Sequence, residues 1–161
     1  MSSSNNLTVT PLGDREIVLT RTFNAPRSLV FEAITKPELL KQWLLGPPGW
    51  TMSECENDLK VGGTFRYVWR DAEGKEMAMC GEYREVAPPE RIVRTERFEF
   101  GCEPQAGEQL GTLTLTEEQG QTFMKVTVEF PSREARDGTI ASGMEHGATV
   151  TYDRLAELLA R

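Results

Sequence analysis

Between Trp50 and Phe130 apolar and polar residues alternate with a period of two, and after Pro131 the period lengthens to that of a helix. Strands are expected over 50–57, 64–70, 76–86, 92–100, 110–117 and 122–130, with an earlier one over 17–23. The breaks between them are Gly62-Gly63, 71–74, Pro88-Pro89, 101–107 and Gln119-Gly120. Most of these are short enough for successive strands to pair as antiparallel hairpins. A parallel sheet would need a helical crossover between strands, and this region offers none.

The helices bracket the strands. Pro26 suits a first helical turn, where its missing N–H costs nothing, and Leu29, Val30, Ala33 and Ile34 follow at helical spacing. Pro37 opens a second short helix through Leu39, Leu40 and Trp43, with a joint near Thr35, and Gly46-Pro47-Pro48-Gly49 ends the pair. Beyond Pro131, Ile140, Met144, Ala148, Thr151, Leu155 and Leu159 form one stripe of a long C-terminal helix. The order specifies an α+β fold, a curved antiparallel sheet around that helix with two short helices after the first strand. One domain is expected over 16–161, preceded by a flexible tail over 1–15 whose Met1 to Asn6 portion is rich in Ser and Asn.

Charge narrows the partners. Eighteen Lys and Arg against 25 Asp and Glu give a formal charge of −7 and no unbroken basic run, so neither nucleic acid nor an anionic membrane surface is expected. No stretch approaches the ~20 apolar residues that span a bilayer, so no membrane insertion is expected. The first residues lack the basic and apolar parts of a secretory signal. Cys55, Cys80 and Cys102 are odd in number and widely spaced, which suits reduced thiols and a cytoplasmic location.

Several motifs carry a family resemblance. They are Phe23-Asn24-Ala25-Pro26 followed by Val30-Phe31-Glu32-Ala33, then Lys36-Pro37-Glu38-Leu39-Leu40 leading to Trp43. Next come Asp58-Leu59-Lys60-Val61-Gly62-Gly63-Thr64-Phe65-Arg66, Gly81-Glu82-Tyr83-Arg84-Glu85-Val86 and Pro89-Glu90-Arg91-Ile92-Val93. The last is Ser142-Gly143-Met144-Glu145-His146-Gly147, with Asp153-Arg154-Leu155 behind it. In this order the chain resembles the helix-grip fold of the START-like (SRPBCC) superfamily, and within it the homologues of the activator of heat-shock protein 90 ATPase. The resemblance implies a cavity between the concave face of the sheet and the C-terminal helix, which in the superfamily holds lipids, hormones or polyketides and in some members is an active site. It implies chaperone activation less directly, because the full activators carry an additional N-terminal domain. A homodimer is compatible with it. Where many relatives carry an aromatic residue, this chain has Ala148, which leaves extra room or is compensated by a neighbour.

The candidate ligand site follows from these two readings. Phe65, Tyr67 and Trp69 are two apart and share a strand face, which Trp50 and the Met77/Met79 pair can join; the same residues are also ordinary core fillers. Gly143 and Gly147 lie on one helical edge beside Met144, marking either close backbone approach and space near a cavity or a kinked helix start. Arg94 and Glu96 interrupt an apolar run with Ile92 and Phe98. Facing inward they can orient a polar ligand group or move a proton; facing outward they are solvated charges. The expected site is therefore Trp50, Phe65, Tyr67, Trp69, Met77, Met79, Glu96, Met144, Gly147 and Ala148, taking a small apolar or amphipathic molecule. A cyclase, dehydratase or hydrolase using Glu96, Tyr67 or Tyr83 is the alternative, and a chaperone-regulating interaction module is a third reading. His146, the only histidine, points away from the apolar stripe, and with no Cys-x-x-Cys pair no metal site is expected. Gly62-Gly63 is not followed by a helix and reads as a turn rather than a phosphate loop. No cofactor is implied.

Overall fold

A computed structural model describes residues 6–46, 48–100, 103–104 and 107–161. The expected breaks at Pro47 and around Gly101, the start of the tail and the thiol of Cys102 lie outside the described residues. The chain forms β1 (Thr8–Leu12), β2 (Glu16–Phe23), α1 (Arg27–Thr35), α2 (Pro37–Trp43), β3 (Thr51–Asn57), β4 (Thr64–Arg70) and β5 (Glu76–Ala87). It continues through β6 (Arg91–Phe100), β7 (Glu103–Pro104), β8 (Gln109–Glu118), β9 (Gln121–Glu129), α3 (Arg133–Ala141) and α4 (Met144–Leu159). The strands join one antiparallel sheet in the order β1-β2-β9-β8-β6-β5-β4-β3, with β7 paired to β6. This is the α+β helix-grip arrangement, a curved sheet with the C-terminal helix packed against it.

Local chemistry explains the element boundaries. Lys36 is extended (φ −80°, ψ 126°) because the residue before a proline is driven out of the helical region, and this separates α1 from α2. Gln119 and Gly120 both have positive φ (53° and 78°), and Glu118 pairs with Gln121 across them. That is a two-residue hairpin whose twist matches its strands. Ser132 Oγ accepts a hydrogen bond from the Ala135 amide (3.1 Å) and caps α3.

Two expectations need correction. The flexible tail does not extend through residue 15: Thr8–Leu12 pairs with β2, from Thr8↔Thr20 to Leu12↔Glu16. Leu7 packs with Ile17, Leu19 and Phe130, so the hairpin buries apolar surface, and Pro11 is tolerated because β1 is an edge strand. The helix stripe that runs from Ile140 is also not continuous. Gly143, at φ 84°, separates α3 from α4, and Ile140 ends on α3 at 40% exposure rather than in the core.

The main core lies between the sheet and the helices. Leu155 of α4 is fully buried there with Phe23, Val30, Leu40, Trp43 and Tyr83, while Met144 and Ala148 pack on the second cluster around Ile17 and Leu19. Trp43 donates its indole N–H to the Ala33 carbonyl (2.8 Å), holding α2 to α1. On the far side of α4, Asp153 takes the largely buried Arg21 guanidinium (2.5 Å) and fastens the helix to β2.

The break at Gly143 separates the two helical glycines in character. An alanine Cβ at either position would meet no atom within 4 Å, but only Gly143 is left-handed. Gly143→Ala is expected to lower unfolding free energy by about 1–2 kcal/mol, whereas Gly147→Ala, inside regular helix, should raise it by about 0.4–1 kcal/mol. Urea unfolding of the two variants checks both signs.

Candidate functional site

The sheet alternation that buries one face of each strand also builds a cavity against α4, of about 310 Å³. Its floor is set by register. Arg94 of β6 pairs with Gly111 of β8, which pairs with Val128 of β9; one row on, Ile92, Leu113 and Val126 align in the same way. Residues two apart on each strand therefore point into one space. Met124 extends this floor, Met79 and Tyr83 of β5 and Tyr67 of β4 form one wall, and Trp43 and Leu40 of α2 form another. Met144, Ala148, Thr151 and Tyr152 of α4 close it.

Most of the lining is apolar, and the exception is concentrated around Arg94. Its Nε donates to Glu96 Oε2 (3.0 Å) and its Nη1 to the Tyr67 hydroxyl oxygen (3.1 Å). Its guanidinium carbon sits 4.1 Å from the centre of the Phe65 ring, a cation–π contact. Glu96 is fixed from its other side, because Gln109, directly opposite in register, donates Nε2–H to Oε1 (2.9 Å). The two charged side chains are only 20% and 12% exposed. They are the only charged residues among the described lining.

Glycines make this geometry reachable. A Cβ at position 111 would come within 2.9 Å of Glu96 Oε2, so Gly111 is what lets the carboxylate lie over β8. A Cβ at position 81 would come within 1.8 Å of the Thr95 carbonyl oxygen. Gly81 thus permits β5 to pass close over β6, just before Tyr83 pairs with Arg94.

Electrostatics follow from burial. The Arg94 guanidinium is held protonated above its ordinary range: desolvation opposes the charge, but Tyr67, then Glu96 and Tyr83, outweigh it. Burial pushes the Tyr83 phenol up, and its hydroxyl donates to Asn57 Oδ1, while Asn57 Nδ2 donates to the Thr35 carbonyl (2.6 Å). Tyr152, whose ring lies 5.8 Å from that of Trp43, is pushed up to about 12, first by burial and next by the negative Glu96, with Arg94 opposing.

The structure places Tyr67, Met79, Glu96, Met144 and Ala148 on the cavity lining. The other sequence-derived candidates fall elsewhere. Phe65 is buried under Arg94 with its ring 5.0 Å from Tyr67, so the guanidinium covers the face that would have met a ligand. Trp69 is covered by the chain after α2, to whose Leu44 carbonyl it donates (2.8 Å), and Met77 and Trp50 pack there around Gly46. Gly147 is exposed on α4. Arg94 and Glu96 face inward, which decides between the two orientations left open by the sequence. Gly111, Gln109 and Tyr152 were not singled out by sequence reasoning. The available signal was the alternation of Ile92, Arg94 and Glu96, which assigns both charges to the face of a core isoleucine. His146 is exposed, and among the described residues no three His, Cys, Asp or Glu side chains are grouped to hold a metal ion.

Comparison with known proteins agrees with this architecture. A family model described as "Activator of Hsp90 ATPase homolog 1-like protein" matches residues 24–160. A crystal structure of a protein from Rhodobacter sphaeroides is 31% identical at a TM-score of 0.90, covering 96% of this chain and 98% of that one. One from Nitrosomonas europaea is 27% identical at a TM-score of 0.80, covering 93% and 97%. A solution structure from Staphylococcus epidermidis is 29% identical at 0.81, covering 95% and 93%. No protein of curated function matches the chain.

Tyr152 gives the site an alkaline signature. Its folded pKa, about 12, lies above the ordinary 10.0, so the neutral phenol contributes stability in full below pH 10 and loses it as pH rises through about 12. Tyr152→Phe is expected to flatten the fall in stability across that window, measured by urea unfolding at a series of alkaline pH values. An unchanged slope would place the phenol in water.

Proposed function

The chain belongs to the family of Activator of Hsp90 ATPase homolog 1-like proteins, and on that premise we propose that it binds a small apolar or amphipathic molecule in the cavity between the sheet and α4. The observation that carries this reading is the cavity itself, apolar along its length and donor-rich at one end. Well-packed interiors rarely hold voids much larger than a water molecule. At ~30 Å³ per water, 310 Å³ corresponds to roughly ten waters. A space of that size holds water with few hydrogen-bond partners on its apolar walls, and an apolar ligand that displaces this water gains by covering them. It falls at the lower end of the range for small-molecule sites, about 300–1,000 Å³. Ala148 contributes to the space: a ring at this position would project into it.

The same cavity supports a second reading, an enzyme of cyclase, dehydratase or hydrolase type, because Glu96 and the Tyr67 and Tyr152 phenols all border it. A chaperone-regulating module would instead use an exposed apolar patch. Among the described residues the exposed large apolar side chains are Leu12, Leu29, Val61, Phe123 and Ile140, one each on β1, α1, the turn after β3, β9 and α3, and no contiguous patch is assigned to them. The free thiols of Cys55 and Cys80 suit a reducing, cytoplasmic setting.

Native mass spectrometry of gently purified protein, followed by titration with a panel of fluorescent lipids and polyketides, tests the binding reading. A one-to-one complex is expected, with affinity falling at least about tenfold, or about 1.4 kcal/mol, in Ala148→Phe. Absence of binding across the panel, or binding indifferent to Ala148→Phe, contradicts it.

A further inference from the structure

The charge balance at the polar end of the cavity restricts what can sit there. Arg94 and Glu96 are the only charged groups among the described lining residues, and they are bonded to each other at 3.0 Å. Neither oxygen of Glu96 is idle, since Oε2 takes Arg94 and Oε1 takes Gln109 (2.9 Å). The site is therefore electrically neutral before any ligand arrives. Donors predominate in its spare capacity, although Glu96, with roughly four lone-pair sites, has room to accept a further bond. A guanidinium carries five N–H donors; Arg94 engages Nε and Nη1 with Glu96 and Tyr67, and the Tyr83 phenol also lies within its reach, which leaves donors over among the described residues. The Tyr67 and Tyr152 hydroxyls border the same space. The groups facing the pair from the packed elements are Tyr67 of β4, Tyr83 of β5, Gln109 of β8 and Tyr152 of α4, none of them carrying charge at neutral pH.

We propose that the cavity selects an uncharged, carbonyl-bearing apolar molecule and discriminates against carboxylates and ammonium ions of the same shape. The proposal rests on the ligand-binding reading above and specifies the chemistry of its ligand. A carbonyl oxygen has two lone pairs to accept from the donors at Arg94 and brings no charge. A carboxylate reaching the same donors meets the Glu96 carboxylate across them, in a largely buried, apolar-lined site where the repulsion is screened less than in water. An ammonium attracted by Glu96 meets Arg94 in the same way. Only the neutral head leaves the Arg94–Glu96 pair undisturbed. The remainder of the ligand lies against the apolar and aromatic walls formed by Met79, Leu113, Met124, Trp43 and Tyr152.

Isothermal titration of the full chain at neutral pH with acetonaphthone, naphthoate and naphthylmethylammonium reads this selection directly, since the three share a bicyclic body and differ in head charge. The wild-type protein is expected to bind the ketone at least about tenfold more tightly than either ion, about 1.4 kcal/mol. Glu96→Gln keeps the shape, removes the negative charge and leaves Arg94 unbalanced. In that variant the preference for ketone over naphthoate is expected to shrink at least about tenfold, a shift of about 1.4 kcal/mol. Tight wild-type binding of naphthoate or the ammonium, abolished by Ala148→Phe, would overturn the charge selection while leaving the cavity a ligand site. An unchanged ketone-to-naphthoate ratio in folded Glu96→Gln would also overturn it, and the wild-type comparison decides the matter by itself should the variant fold poorly. Failure of all three compounds to bind the wild-type protein would overturn the ligand-site reading and this proposal with it.

Discussion

A guanidinium turned toward the apolar side of a sheet has to be given partners, because removing one partner from a buried ion pair typically costs about 3–5 kcal/mol. Arg94 meets that demand with a carboxylate, a phenol oxygen and an aromatic face. Much of the surrounding structure is arranged to supply them. Glu96 lies over β8 where Gly111 leaves the surface bare, so that a Cβ there would force the carboxylate to shift, and it stays there because Gln109 holds its second oxygen. Phe65 lies beneath, and Tyr67 contributes the hydroxyl beside it. This end of the interior consequently is not filled with close-packed apolar side chains, as the region around Leu155 is, and the cavity extends from it. One ion pair thus links the packing of β4, β6 and β8 to the chemistry of the space they border.

Much of the fold was legible in the sequence because it depends on a period. The strand over 64–70 lies where alternation put it, and the other expected strands differ by a residue or two at their ends, while β1 and the two-residue β7 were not expected. The two misreadings have distinct physical origins. The stripe from Ile140 to Leu159 satisfies helical spacing on both sides of Gly143, and spacing alone does not report the φ of a single glycine. Residues 7–10 do alternate, Leu7 and Val9 against Thr8 and Thr10, but the run is short and Pro11 interrupts it; it becomes a strand because the exposed edge of β2 offers it hydrogen bonds and Ile17 and Leu19 offer it a core to pack on. That is tertiary information.

The site was legible only in part, for a related reason. Alternation assigns residues to a face, but a face is longer than a cavity. Phe65, Tyr67 and Trp69 do share one, yet Arg94 covers the first and the chain after α2 covers the third, so only Tyr67 meets the space. Gly111 carries no side-chain signal at all, and its role exists only through the position of a carboxylate on a neighbouring strand. Conversely, the pairing of Arg94 with Glu96 could be anticipated from their spacing, while its inward orientation depended on trusting Ile92 over the usual preference of charges for water.

The proposed ligand occupies the space bordered by Arg94, Glu96 and α4. Methionine methyl resonances report on it most directly, because Met79, Met124 and Met144 line the cavity whereas Met52 and Met77 do not. With methyl-labelled methionine and acetonaphthone as the probe, saturable shifts are expected at Met79, Met124 and Met144 with Met52 and Met77 little moved. Shifts confined to Met52 and Met77, or no shift at any of the three cavity methyls while the compound binds, would contradict that placement.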